Sequence, residues 1–424
     1  MKRFFALALA CLLIYTNFAA VSVMAKGAPS IVSETAVVID GGSGQILYDK
    51  NSHTRMYPAS TTKILTGLLA VELGNMEDVI TYSHDAVYSI GRGTSHASIS
   101  EGEQLTLEQS MYALSIESAN DAAAGIGEYL SAKSGKTIGE LMTERAKELG
   151  ALDSNFVNPH GLPDPNHYTT AYDLAIIAKE AIKHEEFNKI FSAKTYSIPP
   201  TNKQSETRTF NSQNWFFNGV MRYDGNFSRE DMLMSKTGWT SEAQHTMVTA
   251  LNHEGMTLIC VVMKSTHGDT KFEDTEKLFN WAIDNFRGAK VTGEYIALCA
   301  EDDLNCDERG RLYIEKENIV APDVMVVLRN GEKVNNIKAE YSVPVLSADM
   351  QTAEMTATLY TGNAKDKTIV ARVPVTAAVS ERTAVSALPE VEVSVLSDTF
   401  MCVLFGLLTF IAVMICDILI AKRV

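Results

Sequence analysis

The chain has 424 residues, of which 46% are hydrophobic, so it can bury a sizeable core and form more than one domain. Its formal net charge is -15, and its Lys and Arg residues form no cluster. Because binding to nucleic-acid phosphates depends on clustered cations, we expect no nucleic-acid partner. Composition therefore excludes a disordered chain and disfavours a nucleic-acid-binding protein.

The N-terminus has the pattern of a secretory signal peptide. Lys2 and Arg3 precede an apolar run that ends near Ile14, and small residues follow as far as Ala25. The run is too short to span a bilayer, which leaves a buried N-terminal helix as the alternative. We therefore predict that residues 1–25 are a signal peptide and that the mature chain is exported.

A mixed α+β domain is predicted over residues 30–287. Its strand signals are two hairpins and a single strand, at residues 36–49, 246–263 and 232–238. Helical patterns cover residues 60 to about 190 and, at the end, residues 272–286. Strands at both ends of a segment with helices between them favour one antiparallel sheet, assembled from distant parts of the chain, with a helical half beside it.

A small all-β domain and a tether are predicted next. Short Val-rich and Ile-rich runs with almost no helical periodicity cover residues 291–379. Residues 380–399 are polar, contain a proline and lead to the last apolar run. The exported part therefore divides into a larger mixed domain and a smaller β domain.

Residues 400–421 are predicted to form a C-terminal transmembrane helix. The run is nearly all apolar and would extend about 33 Å as a helix, close to the thickness of a hydrocarbon core. Lys422 and Arg423 follow it, which places the bulk of the protein outside the cytoplasm. Asp417 lies inside the run, so an interfacial helix is the alternative. We expect a bacterial cell-membrane protein with an extracytoplasmic catalytic domain.

The cysteines leave one pairing open and indicate no metal. Cys299 and Cys306 could form a local bridge in an oxidising compartment, or remain thiols. Cys260 falls in an apolar strand, where a small hydrophobic residue is expected. The sequence contains no CxxC or His-spaced zinc pattern, and we expect neither a metal nor a cofactor.

The first chemical motif is Ser60-Thr61-Thr62-Lys63, at the start of an apolar helix that ends at Gly74. Unpaired N–H groups in the first turn favour developing negative charge at Ser60. Lys63 shares a helical face with Ser60, and burial favours its neutral form. Alone, the motif fits an ordinary N-cap beside a solvated lysine. With its partners, it indicates a nucleophile and its general base.

Two further motifs follow in order, Ser118-Ala119-Asn120 and Lys236-Thr237-Gly238. Ser118 and Asn120 lie in a break between two apolar helices, from which a hydroxyl can relay a proton to a leaving amine and an amide can bind a substrate backbone. The alternative there is helix capping. Gly238 permits close approach to a strand end, where Lys236 offers charge.

Thr237 and Thr240 offer hydroxyls beside that lysine for binding a carboxylate. The alternative at this strand end is a solvated lysine on the surface. That alternative does not account for the other two motifs, so we count both threonines with Lys236 as substrate-binding candidates.

The three motifs together resemble the active-site signature of penicillin-binding proteins and class A β-lactamases. With residues 158–162 and 168–173, which look like the loop and helix below the active site, the chain resembles the low-molecular-weight penicillin-binding proteins that are serine D-alanyl-D-alanine carboxypeptidases. The resemblance implies a β-lactamase/transpeptidase-like fold. It also implies an enzyme that trims peptidoglycan pentapeptide stems in cell wall synthesis and is inhibited by β-lactams.

The resemblance further implies an oxyanion hole formed by the backbone N–H groups of Ser60 and Trp239. Family members often carry His where this chain has Trp239, so its substrate preference and pH dependence can differ from theirs. His160, in the loop below the site, is expected to be structural rather than catalytic.

Two alternatives share the signature. A class A β-lactamase needs a Glu that activates the deacylating water, and residues 149–179 contain no Glu. A non-catalytic penicillin-binding sensor would signal through the membrane, but only three residues follow the predicted anchor. A carboxypeptidase is therefore favoured over both.

Overall fold

The computed structural model describes residues 27–91, 93–218, 221–222, 225–300, 302–306, 312–363 and 366–381. The predicted signal peptide, the predicted anchor and the tether beyond residue 381 lie outside the described residues. Within the described ranges, no helix has both the length and the apolar character needed to cross a bilayer.

The helices are numbered α1 to α10 in chain order. They are Lys63–Leu73, His84–Tyr88, Leu107–Ile116, Asn120–Ser134, Ile138–Glu148, Ala171–Ala181, Glu185–Phe191, Trp215–Asn218, Thr270–Asn285 and Gly293–Leu298. Short 3-10 turns cover Ala59–Thr62, Lys316–Asn318 and Val334–Asn336. The predicted helix over residues 107–116 is confirmed, and the one predicted from residue 272 begins two residues earlier.

The strands are numbered β1 to β21. They are Thr35–Asp40, Ile46–Lys50, Val79–Thr81, Gln104–Thr106, Thr195–Ile198, Arg208–Asn211, Met221–Arg222, Gly225–Asn226, Met232–Thr240, Gln244–His253, Met256–Ser265, Phe286–Val291, Leu304–Asn305, Leu312–Ile314, Ile319–Val320, Val324–Arg329, Lys338–Tyr341, Val345–Leu346, Thr352–Thr361, Thr368–Ala378 and Ser380–Glu381.

The central sheet contains five antiparallel strands in the order β2-β1-β11-β10-β9. Residues of β1 pair with those of β11 from Thr35 with Met263 to Asp40 with Leu258, and β10 pairs with both β11 and β9. The predicted hairpins and strand are therefore confirmed as one sheet built from distant segments. β9 is its last strand, so no other described strand pairs with its outer side.

Both faces of this sheet are covered. On β1, Val37 and Ile39 point into a core shared with the helical half, whereas Val38 points into a core shared with α9. Leu68 of α1 belongs to the first core and Leu278 of α9 to the second. Each such fully buried side chain stabilises the fold by about 1.5–3 kcal/mol relative to exposure. The three sequence motifs are thus carried by a three-layer frame, with the sheet between two buried cores.

Helix caps position the segments that matter for the site. α3 begins with a capping box, in which the Thr106 hydroxyl accepts the Gln109 N–H and the Gln109 side chain accepts the Thr106 N–H. α3 ends at Ile116, and α4 begins at Asn120 after an extended Ala119. The predicted break between two buried helices is therefore present.

The chain divides into two compact units. Among the described residues, the first comprises those up to Ala300 with Val320–Ser342 and Thr356–Val375, and the second comprises those within Glu301–Ile319, Val343–Met355 and 376–381. In the first unit β12 pairs with β16, and in the second β14 pairs with β13 and β21. The predicted domain limits, 30–287 and 291–379, stay predictions.

One expectation for the C-terminal part needs correction, and one open question is answered. Residues 291–379 were predicted to be purely β, but they contain α10, which the Thr292 hydroxyl caps by accepting the Tyr295 N–H at 3.2 Å. The Ile296 side chain, on one face of that helix, is fully buried. Cys299 is a free thiol whose sulfur lies 3.8 Å from the Ile337 carbonyl oxygen, so the bridge that the sequence left open is absent.

Candidate active site

Ser60 lies in the 3-10 turn that leads directly into α1. The predicted position at a helix start is right, although the turn is tighter than an α-helix. Ala59 before it has a φ of 49°, a left-handed conformation that costs a residue with a side chain about 1–2 kcal/mol. A Cβ on Gly161 would lie 1.8 Å from the Ala59 carbonyl oxygen, so glycine is required where the loop crosses this turn.

Lys63 is fully buried at the first position of α1. Its Nζ lies 3.1 Å from Ser60 Oγ, 2.6 Å from Asn120 Oδ1 and 2.7 Å from the His160 carbonyl oxygen. Burial, and then the charge of Lys236, hold the pKa of Lys63 well below its usual value. An amine in this position favours its neutral form, as a general base must.

Ser118 and Asn120 occupy the break between α3 and α4. Ser118 has a φ of 58°, a strained left-handed conformation, and Asn120 is the buried first residue of α4. The Asn120 N–H donates to the Ser95 carbonyl at 2.8 Å. Its side-chain carbonyl is taken by Lys63, so its NH2 group is the part that remains for a substrate carbonyl.

Asp121, next to Asn120, holds a neighbouring loop in place. It lies inside α4, and its buried carboxylate accepts the N–H groups of Ala97 at 2.9 Å and Ile99 at 3.1 Å. Arg208 binds the same loop from the other side, through the Ala97 carbonyl at 3.1 Å. Asp121 and Arg208 therefore hold this loop, which borders the break, through its backbone N–H and carbonyl groups. No sequence pattern predicted these contacts.

Lys236 lies on β9 and is almost fully buried. Its Nζ donates to Ser118 Oγ and to the Thr237 carbonyl oxygen, both at 2.9 Å. Burial lowers the pKa of Lys236 to about 7. The second and third motifs, 118 positions apart in sequence, are thus joined by a direct hydrogen bond.

Gly238 brings β9 against the serine turn. A Cβ at Gly238 would lie 2.8 Å from the Ser60 backbone nitrogen and 2.5 Å from Thr246 Oγ1, so only glycine fits. Trp239 follows with 62% of its surface exposed, and its ring centroid is 6.2 Å from that of His245. The structure thus brings Ser60 beside the strand whose Trp239 N–H was expected to complete an oxyanion hole.

The threonines of β9 differ in their surroundings. Thr237 is half-buried, next to Lys236. The Thr240 hydroxyl oxygen accepts the Ala243 N–H at 3.0 Å and so supports the turn between β9 and β10. Thr237 is therefore the better placed of the two expected carboxylate ligands.

The loop below the site contains the contacts that the sequence missed. The His160 carbonyl, a backbone group, binds Lys63. His167 accepts the Val157 N–H through Nδ1 at 3.1 Å, and its Nε2 lies 2.9 Å from Thr62 Oγ1. Burial lowers the pKa of His167 to about 4 and that of His160 to about 3. Both rings are therefore neutral near pH 7.

One group of possible metal ligands lies elsewhere among the described residues. Glu72, Glu180 and His184 bring ligand atoms within 4.8 Å of one another. Glu72 already forms a two-point contact with Arg145, at 2.7 and 3.0 Å, and the guanidinium opposes a cation there. This group belongs to an ion-pair network, apart from the three motifs.

The site thus pairs each of two hydroxyls with a buried amine, Ser60 with Lys63 and Ser118 with Lys236. One pair suits activation of a nucleophile, and the other suits proton delivery and anion binding. The sequence profile of the D-alanyl-D-alanine carboxypeptidases, peptidase family S11, matches residues 22–267, more than half of the chain. The protein belongs to this family of serine carboxypeptidases.

Similarity to individual known proteins supports the family assignment. The chain is 28% identical over 352 residues to the D-alanyl-D-alanine carboxypeptidase DacF of Bacillus subtilis, covering 81% of this chain and 85% of that protein. It is 28% identical over 334 residues to DacD of Escherichia coli, covering 74% and 78%. The crystal structure of the Streptomyces K15 DD-transpeptidase superposes with a TM-score of 0.55 at 25% identity, over 61% of this chain and all of that one. The fold is therefore the penicillin-binding, transpeptidase type.

Proposed function

We propose that this enzyme removes the C-terminal D-alanine from peptidoglycan pentapeptide stems through a Ser60 acyl-enzyme, and that β-lactams acylate the same serine. The proposal rests above all on one contact, the 3.1 Å between Ser60 Oγ and the fully buried amine of Lys63. Relatives such as the Bacillus subtilis protein carry the name of this activity.

Lys63 acts as the general base. A neutral amine has two N–H donors and one lone pair, whereas an ammonium has three donors and no acceptor. The two short contacts of Nζ go to carbonyl oxygens, of Asn120 at 2.6 Å and His160 at 2.7 Å. Those carbonyls use both N–H groups of the neutral amine. The lone pair then faces Ser60 Oγ and accepts its hydroxyl proton.

Acyl transfer follows with balanced bonds. The Ser60 oxygen bonds to the carbonyl carbon of the penultimate D-alanine, and its proton passes to Lys63. The N–H groups of Ser60 and Trp239 bind the oxyanion. The C–N bond then breaks, and the leaving nitrogen receives a proton relayed by Ser118 from Lys236. The proton on Lys63 returns to Lys236, and water then hydrolyses the ester. The water oxygen bonds to the acyl carbon, the ester C–O bond breaks, and a proton from the water passes through Lys63 to the Ser60 oxygen, which releases the shortened stem.

The outer side of β9 binds the stem in an extended form. No described strand pairs with that side, so its backbone groups can hydrogen-bond a peptide laid beside it. The Asn120 NH2 group binds a peptide carbonyl of the stem. Lys236 and Thr237, with Thr240 at the end of the strand, bind the terminal carboxylate.

The enzyme is exported and anchored at the outer face of the bacterial membrane. The charged, apolar and small-residue order of residues 1–25 supports export, and the apolar run 400–421 with Lys422 and Arg423 after it supports a spanning anchor. A chain ending at residue 399 should move from the membrane fraction to the soluble fraction. Retention of that shortened chain in the membrane would contradict the anchor.

The activity is tested with the full chain in detergent and a muramyl-type pentapeptide, followed by mass spectrometry. The wild type should release one D-alanine, and Ser60→Ala should release none and take up no labelled penicillin. Ser197→Ala, an exposed serine of β5, is the matched control and should behave as the wild type. Labelling of another residue in Ser60→Ala would contradict the nucleophile.

A further inference from the structure

A cavity of about 240 Å³ adjoins the active site. One wall is formed by three residues that the mechanism uses, Ser118, Lys236 and Thr237. The opposite wall comes from residues 212–217, which precede β9, and from the end of α3. The cavity therefore adjoins the residues proposed to bind the leaving amine and the terminal carboxylate, and its lining does not include Ser60 or Lys63.

The floor of this cavity is polar and ordered. Ser212, Asn214 and Ser235 are all buried. The Asn214 amide donates to Ser235 Oγ at 2.7 Å, and its carbonyl oxygen accepts the Phe216 N–H at 3.0 Å. The Ser212 hydroxyl oxygen accepts the Asn214 N–H at 3.2 Å. These contacts hold the floor in place without filling the space above it.

The sides of the cavity add further polar groups. Ser115 is half-buried and donates to the Ile190 carbonyl at a long 3.3 Å. Gln213 and Glu117 are exposed and lie at the rim. Most of these side chains carry acceptor oxygens with lone pairs to spare. A group that enters the cavity and can donate a hydrogen bond would therefore find partners.

The size of the cavity does not match alanine. A cavity of about 240 Å³ has room for several water molecules. The methyl side chain of a terminal D-alanine would leave most of it to solvent. A side chain slightly longer than methyl therefore fits while the carboxylate and the scissile bond keep their places, and a polar group on it can replace water at the hydrogen-bonding groups of the cavity.

We propose that this cavity is a pocket for the side chain of the C-terminal residue, and that the enzyme hydrolyses stems ending in a small polar D-amino acid, such as D-serine, as well as those ending in D-alanine. The inference rests on the proposed function, because it uses the same acyl transfer. The Ser60 oxygen bonds to the penultimate carbonyl carbon, the C–N bond breaks, and D-serine leaves with the relayed proton in place of D-alanine.

Three peptides of equal length test the pocket, ending in D-alanine, D-serine and D-2-aminobutyrate. The last has the size of D-serine but a methyl group in place of the hydroxyl. With the full-length enzyme, kcat/KM for the D-serine peptide should lie within threefold of that for D-alanine. It should exceed the D-aminobutyrate value by about fivefold, the effect of one net hydrogen bond.

A filling substitution tests the location. Ala193 lines the cavity, and Ala193→Leu should lower the ratio of D-serine to D-alanine hydrolysis at least fivefold. Ser197→Leu places the same side chain on an exposed strand outside the cavity and should leave that ratio unchanged. Labelled penicillin and thermal unfolding report whether each variant is folded with a competent Ser60. A folded Ala193→Leu enzyme with the wild-type ratio would overturn the location.

The remaining outcomes are distinct. If D-serine and D-aminobutyrate peptides are cleaved equally, the pocket does not distinguish a hydroxyl from a methyl group and the inference is wrong. If both are cleaved more than tenfold more slowly than the D-alanine peptide, the cavity does not hold the terminal side chain. Failure of all three peptides would overturn the proposed function together with the inference, whereas failure of D-serine alone would overturn only the inference.

Discussion

Two buried lysines in this site have the same residue type and different surroundings. Lys63 on α1 contacts two carbonyl oxygens and one hydroxyl, and its pKa lies well below its usual value because of burial and the charge of Lys236. Lys236 on β9 contacts one hydroxyl and one carbonyl, and burial alone lowers its pKa to about 7. Burial therefore favours the neutral form of both amines, and Lys236 is still partly charged near pH 7.

The difference shows how one residue type supplies both a base and a cation. Desolvation acts on both amines, but only Lys63, which lies beside the nucleophile, has its pKa lowered further by the charge of the other lysine. An incoming carboxylate would favour the charged form of Lys236, because an opposite charge nearby raises the pKa of an amine. Substrate binding should thus increase the difference in protonation between the two lysines, with Lys236 charged and Lys63 neutral, as the proposed mechanism requires.

Removing the neutral amine should have the largest effect. Lys63→Arg keeps a positive charge but cannot lose it, so acylation by labelled penicillin should fall by about 10²–10⁴-fold, the range for a general base. The measurement is the second-order rate of acylation. Lys50→Arg is the matched control, because Lys50 also donates to two carbonyls but lies away from the motifs. A Lys63→Arg rate within threefold of the wild type would refute the base assignment.

Removing the cation should cost less and should change selectivity. A charge-assisted hydrogen bond contributes about 1.5–3 kcal/mol, which corresponds to about one to two decades in rate. The wild type should prefer the pentapeptide acid over its C-terminal amide by that factor. The double variant Lys236→Gln, Thr237→Val should lose most of the preference, measured as a ratio of kcat/KM values. Equal cleavage of acid and amide by the wild type would mean that β9 does not read the chain end.

The pH profile should separate the two lysines. Lys63 must be neutral, so kcat/KM should rise as pH increases through its depressed pKa. Lys236 must be protonated to bind the carboxylate, and its pKa is about 7 in the free enzyme, so kcat/KM should fall above that pH, about tenfold per unit. In Lys236→Arg the guanidinium stays charged, and the basic limb should move upward. If the fall of kcat/KM at high pH stayed at the same pH in that variant, a group other than Lys236 would be responsible for it.

Sequence patterns predicted the frame of this site better than its details. Helix α3 and the strands of the central sheet have clear apolar periods, and the order of the three motifs located Ser60, Ser118 and Lys236. The left-handed Ala59 and the His160 carbonyl left no signal, because both depend on backbone contacts with a distant loop. The cavity wall from residues 212–217 was missed for the same reason: its polar residues resemble an ordinary loop.

The smallest effect is expected at Trp239, whose backbone and side chain should differ in importance. In the proposed mechanism the oxyanion hole uses its N–H, which any residue other than proline supplies. Its side chain is 62% exposed, and its ring lies 6.2 Å from His245, so little burial would be lost on truncation. Trp239→Ala should therefore keep the rate of penicillin acylation within about threefold, a change of ~0.7 kcal/mol. Trp239→His, which introduces the residue that the family resemblance led us to expect here, should do the same at pH 7. Both rates are compared with that of Thr237→Val, which changes a side chain expected to bind the substrate carboxylate on the same strand. If Trp239→Ala slowed acylation more than Thr237→Val did, the indole itself would bind the ligand, and the role of this position would pass from its backbone to its side chain.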